Sequence, residues 1–147
     1  MRILLRAVFV AGLLATVGAP VRAQSAADEE AAIRRALDHY LQGHATGDGD
    51  HFRAVFHPQS NLYSVRDGAL VVRTSEAYAA GAPGRPPADE AERRRRIVSI
   101  DIAGTAAMAR IELDYPTVRF IDYMSLLKID GEWKIIAKIF HAEPKPR

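Results

Sequence analysis

Residues 118–141 read VRFIDYMSLLKIDGEWKIIAKIFH, two long runs rich in β-branched and aromatic residues on either side of Asp130-Gly131. Asp-Gly supplies the positive φ angles of a two-residue type I′ turn, so the stretch predicts a β-hairpin whose register that turn fixes. Counting from Ile129 opposite Glu132, one face carries Lys128/Trp133, Leu126/Ile135, Met124/Ala137, Asp122/Ile139 and Phe120/His141. The other carries Leu127/Lys134, Ser125/Ile136, Tyr123/Lys138 and Ile121/Phe140. The first face is almost wholly apolar and reads as the core face. Asp122 and His141 at its far end are diagonal neighbours about 7–8 Å apart, close enough for their side chains to meet. A carboxylate and an imidazole in an apolar concavity form a candidate acid–base dyad; a satisfied buried pair is the bland alternative.

Upstream, four arginines, Arg93 to Arg96, lead into IVSIDIA, and Gly104-Thr105 closes a turn into an alternating run from Ala106 to Tyr115. With tight turns these segments join the hairpin in a four-stranded antiparallel meander. Its core-face rows are then Val98, Ile111, Asp122, Ile139 and Arg96, Leu113, Phe120, His141. Arg96 thereby joins the dyad, subject to the absence of a bulge.

Residues 25–43 predict a first helix. Ser25 and Asp28 offer capping oxygens, Ile33, Leu37, Tyr40 and Leu41 form a stripe, and Gly43 reads as the stop. Tyr40 lies on the packed side. Asp48-Gly49-Asp50 opens a short second helix through Phe52, Val55 and Phe56, ended by Pro58, with His57 at its C-terminus as either a cap or an inward-pointing contact. Arg66-Asp67-Gly68 marks a second hairpin, and Thr74 or Ser75 caps a short helix at 76–80. GAPGRPPA, residues 81–88, has three prolines and two glycines and predicts a mobile loop, a surface connection or a lid.

Residues 1–23 have the form of a secretory signal peptide: Arg2 and Arg6, an apolar run from Ile3 to Val17, and Val21-Arg22-Ala23 before an expected cleavage. The domain is then 24–147, periplasmic or secreted, with no stable membrane anchor expected. Losing Arg2, Arg6 and Arg22 takes the 20 Lys and Arg to 17 against 18 Asp and Glu, a net charge of −1. Such a balance argues against nucleic acid as a partner. With no cysteine, stability must come from the core, and thiol nucleophiles and disulfides are excluded. Phosphate loops, zinc spacings and Gly-x-Ser-x-Gly elbows are missing, so no cofactor is expected. His57, His141 and Asp122 are of the types a metal would take, but they are not spaced as a ligand motif.

The stretches AIRRALDHYLQGHATGD, FRAVFHPQSNLY and FIDYMSLLKIDGEWKIIAKIFH resemble the nuclear transport factor 2-like superfamily, in its SnoaL-like or lumazine-binding branch. That resemblance implies a cone-shaped α+β, cystatin-like fold, with N-terminal helices packed on a curved antiparallel sheet and a pocket between them. It also implies that Tyr40 and His57 from the helices face Asp122, His141, Arg96, Tyr115, Phe120 and Trp133 of the sheet. Isomerases of that fold keep two acidic groups in the cavity, and here only Asp122 is placed to serve. Fold alone does not decide chemistry. The functional expectation is an exported domain binding a small hydrophobic or aromatic molecule. The alternative is a cofactor-free isomerase, cyclase or dehydratase using Asp122 and His141. An apolar outer sheet face bearing Ile121, Tyr123, Ile136 and Phe140 predicts a homodimer.

Overall fold

The computed structural model describes residues 25–146; the expected signal peptide lies outside them. The first helix, α1 (Ala26–Thr46), begins where expected. Ser25 Oγ accepts the Asp28 N–H and Asp28 reaches back to the Ser25 backbone, a reciprocal box that satisfies two orphan donors. Its stripe of Ile33, Leu37 and Tyr40 is wholly buried, and each such side chain contributes about 1.5–3 kcal/mol. The expected stop at Gly43 is not one. The helix runs a further turn to Gly47, which takes φ +72° and donates to the Gly43 carbonyl at 3.0 Å. Gly43 is instead a packing position, because a Cβ there would lie 2.5 Å from the Phe52 ring.

Helix α2 (Gly49–Val55) is followed directly by β1 (Phe56–Arg66), which the turn at Asp67-Gly68 pairs with β2 (Ala69–Thr74). Helix α3 (Ser75–Ala80) is capped by Thr74. The 81–88 loop and one 3₁₀ turn then lead to β3 (Arg94–Ala103), β4 (Ala106–Asp114), β5 (Val118–Ile129) and β6 (Glu132–Pro144). Both predicted Asp-Gly turns take positive φ at both residues: 51° and 79° at Asp67-Gly68, 50° and 86° at Asp130-Gly131.

The six strands form one sheet in the order β2-β1-β6-β5-β4-β3. The meander of β3 to β6 is antiparallel as expected, but the whole sheet is mixed, because β1 lies parallel to β6. The fold is α+β, with the helices packed on one face of this curved sheet.

Two bulges set what faces inward. From Ile129/Glu132 to Leu126/Ile135 the β5–β6 register is the expected one; Ile136 is then looped out, and Ser125 pairs with Ala137, Met124 with Lys138, Asp122 with Phe140 and Ile121 with His141. Every side chain of β6 beyond the bulge changes face. Lys138 and Phe140 turn inward; Ile139 and His141 turn out and are exposed. In β3 the extra residue is Val98, so Arg95 pairs with Leu113 on the inner face and Arg96 with Glu112 on the outer. The rows expected to hold Arg96, Asp122 and His141 together are therefore not formed.

Candidate functional site

Asp122 is 0% and Lys138 3% exposed, both beneath α1. Tyr40 Oη donates to Asp122 Oδ2 at 2.6 Å, Lys138 Nζ donates to Tyr40 Oη at 2.5 Å, and the ammonium lies 3.1 Å from Asp122 Oδ2. Lys138 also sits over the rings of Tyr40 (5.0 Å), Tyr78 (5.5 Å) and Phe140 (4.7 Å), where cation–π attraction replaces part of its lost hydration. Asp122 Oδ1 is buried without a hydrogen-bond partner among the described residues. Burial pushes the Tyr40 phenol well above its ordinary value, and the neighbouring carboxylate adds to this. Burial lowers the Lys138 ammonium, against the opposing pull of Asp122.

The extra turn of α1 brings in His44. Its Nε2 lies 2.9 Å from Tyr78 Oη, and its ring packs edge-on against that of Tyr40, 4.8 Å between centroids. His44 and Tyr78 thus pack against the Tyr40–Asp122–Lys138 network, with the Lys138 ammonium standing over the Tyr78 ring. His44 is held well below the usual imidazole value, by burial first and then by Lys138, Arg95 and Arg93. At neutral pH it is uncharged. Burial likewise raises the Tyr78 phenol, which stays protonated.

His44 and Tyr78 open onto a cleft of about 760 Å³ between the C-terminal turn of α1, α3 and the 81–88 loop. The loop is a wall, tied down rather than free. Gly84 N–H donates to the Gly47 carbonyl at 2.8 Å, and a Cβ on Gly47 would lie 2.1 Å from the Arg85 carbonyl oxygen. Phe52 rests in the space left by Gly43, its ring 4.8 Å from that of Tyr78. Arg73, Arg85 and Arg93 complete the lining.

Of the residues singled out in the sequence, Tyr40 and Asp122 meet, and Tyr115 and Phe120 lie beside them. The Tyr115 ring is 6.3 Å from His44 and 5.9 Å from Phe120, and its hydroxyl accepts from Arg95. The other four are elsewhere. His141 is exposed on the outer face. Arg96, also outside, binds Glu112 together with Arg110 and Arg119. His57 lies in β1, where its Nδ1 accepts the Gln59 N–H. Trp133 donates to Glu29 and anchors the N-terminus of α1 at the opposite end of the sheet. No group of three or more metal-ligating side chains is found among the described residues. Lys138, His44, Tyr78 and Arg95 were missed: two bulge-dependent residues, one hidden behind a misread glycine, and one on a short helix without a stripe.

A family described as "Putative lumazine-binding" matches residues 28–141. Among solved structures, an NTF2-like protein of unknown function from Shewanella baltica OS155 is 31% identical, covering 84% of this chain and all of that one, with a TM-score of 0.76. Another of unknown function, from Methylobacillus flagellatus KT, is 28% identical at a TM-score of 0.69, covering 82% and 96% of the two chains. A curated relative, Aldolase FrzH from a Cladobotryum species, is 22% identical over 106 residues, 72% of this chain and 85% of the relative. With its helices, curved mixed sheet and match across 28–141, the chain belongs to the lumazine-binding family of the nuclear transport factor 2-like superfamily.

Proposed function

We propose that this is an exported small-molecule-binding domain, periplasmic or secreted after cleavage behind Ala23, whose ligand enters the cleft under the 81–88 loop. The supporting observation is the cleft's construction. Gly43 and Gly47 let Phe52 and the Arg85 backbone approach α1 more closely than any side chain would permit, so the walls are set before a ligand arrives. The volume suits a small aromatic or polyketide-like molecule. The test is a titration of ¹⁵N-labelled protein with such compounds. Amide shifts should concentrate at residues 43–47 and 78–88 and vanish in Ala82→Trp, which fills the cleft; shifts confined to another surface would sink the assignment.

One observation favours a second, catalytic reading: the buried Tyr40–Asp122–Lys138 network packs against Tyr78 and His44, which line the cleft. In such an enzyme the neutral His44 would take an α-proton from an enolisable carbonyl compound, while the Tyr78 hydroxyl donates to the developing oxyanion. A relative 22% identical to this chain is named an aldolase, which supports a catalytic reading. Deuterium exchange at the α-carbon of candidate ketones measures it. Exchange should fall roughly 10²-fold in Tyr78→Phe; exchange no faster than buffer with the parent rules the reading out. As partner we propose a second copy of the chain, joined through the outer sheet face.

A further inference from the structure

The cleft has a charge that its rings do not need. Three arginines line it, Arg73, Arg85 and Arg93, and no Asp or Glu among the described residues does. Arg93 is compensated by Asp89 at 2.8 Å and lies 4.2 Å over the Tyr115 ring. Arg73 is not. Its Nη2 donates to the Ala77 carbonyl at 2.6 Å and its guanidinium lies 5.2 Å from the Tyr78 ring centroid, with no carboxylate partner among the described residues. It passes beside Gly81, where a Cβ would lie 2.2 Å from that nitrogen. Arg85 stands on the loop wall, likewise without a carboxylate partner among the described residues. His44, kept neutral, brings no negative charge, and Asp122 behind it is already matched by Lys138.

We propose, resting on the binding reading above, that the ligand is a small aromatic carboxylate. Its ring would stack against Phe52 and Tyr78 and its carboxylate would meet Arg73 and Arg85. The two uncompensated guanidiniums supply planar forked donors that match a carboxylate. The Phe52 and Tyr78 rings, inclined at 57° to each other, supply an angled apolar wall for the ring, with His44 and the Tyr78 hydroxyl beside it.

Three probes test this by amide-shift titration: 2-naphthoate, uncharged 2-naphthalenemethanol and acetate. Naphthoate should bind at the cleft at least tenfold more tightly than either of the others, and more weakly as salt rises. Arg85→Glu changes an exposed loop side chain and leaves the fold intact; it should weaken naphthoate at least tenfold and leave naphthalenemethanol unchanged. Equal binding of the neutral probe, or indifference to Arg85→Glu with shifts still at the cleft, overturns the carboxylate and spares the binding reading. Acetate binding as tightly as naphthoate overturns the aromatic requirement. No response at residues 43–47 and 78–88 to any probe fails the binding reading, and this proposal with it.

Discussion

At the scale of single residues, Lys138 carries the largest energetic consequence. An ammonium and a carboxylate out of water are tolerated only together, and removing one leaves the other uncompensated. Lys138→Met should therefore cost about 3–5 kcal/mol in urea unfolding. The double change with Asp122→Leu should lose much less, since neither charge then remains to be buried. Equal losses in both would mean the pair is not coupled. His44 makes a pH prediction. Its folded-state value lies well below the ordinary 6.5, so below pH 6.5 the unfolded chain takes up a proton that the folded one does not. Stability should fall as pH drops from 6.5, by up to about 1.4 kcal/mol per unit. His44→Gln should flatten the unfolding midpoint between pH 6.5 and 5.5; an unchanged slope would show that His44 titrates normally. Of this constellation the sequence discloses Tyr40 and Asp122, because a helical stripe and the unbulged half of a hairpin place them. It does not disclose Lys138, whose alternation puts it on the wrong face.

At the scale of elements, turns and caps are local chemistry and were readable as such. Ser25 with Asp28, Thr74, and the two Asp-Gly pairs each satisfy their backbone demands within four residues. Bulges are not local in that sense. Ile136 and Val98 are ordinary strand formers, and no local residue pattern in β6 or β3 marks them as the positions that loop out. Each bulge put a sequence neighbour into the inner rows, Lys138 for Ala137 opposite Met124, Ala142 for His141 opposite Phe120, and Arg95 for Arg96 opposite Leu113. Gly43 failed for a related reason: glycine both ends helices and admits close neighbours, and only the position of Phe52 distinguishes these uses. This gives a sharp expectation. Gly43→Ala gains about 1 kcal/mol of helix propensity, yet places a methyl 2.5 Å from a buried ring, an overpacking that costs about 1–3 kcal/mol. The substitution should be net destabilising alone and stabilising in a Phe52→Leu background. A stabilised single mutant would mean that the ring moves freely, and the cleft wall with it.

At the scale of the whole molecule, the outer sheet face has no covering layer among the described residues. The register aligns Val72, Tyr63, Ile139 and Tyr123 in one row across β2, β1, β6 and β5. Val65 and Leu70 extend it, at 72% and 69% exposure, and Ile139 is 54% exposed. The predicted apolar face is thus present, although Phe140, expected on it, has turned inward and Ile139 replaces it. Toward β3 the same face becomes charged, where buried Glu112 gathers Arg96, Arg110 and Arg119. In the proposed dimer a two-fold axis through the apolar half would set this face against its own copy and leave the arginines at the rim, the core-and-rim division of a stable interface. Burying about 800 Å² per partner is enough for such a pair. The parent should sediment as a dimer at micromolar concentration, and Ile139→Lys with Val65→Lys as a monomer. Because the cleft opens on the opposite side of the sheet, that monomer should keep its cleft ligand affinity. A parent that is monomeric at roughly 100 µM, a concentration that would saturate any interface of micromolar affinity, would mean that this face does not pair with its own copy.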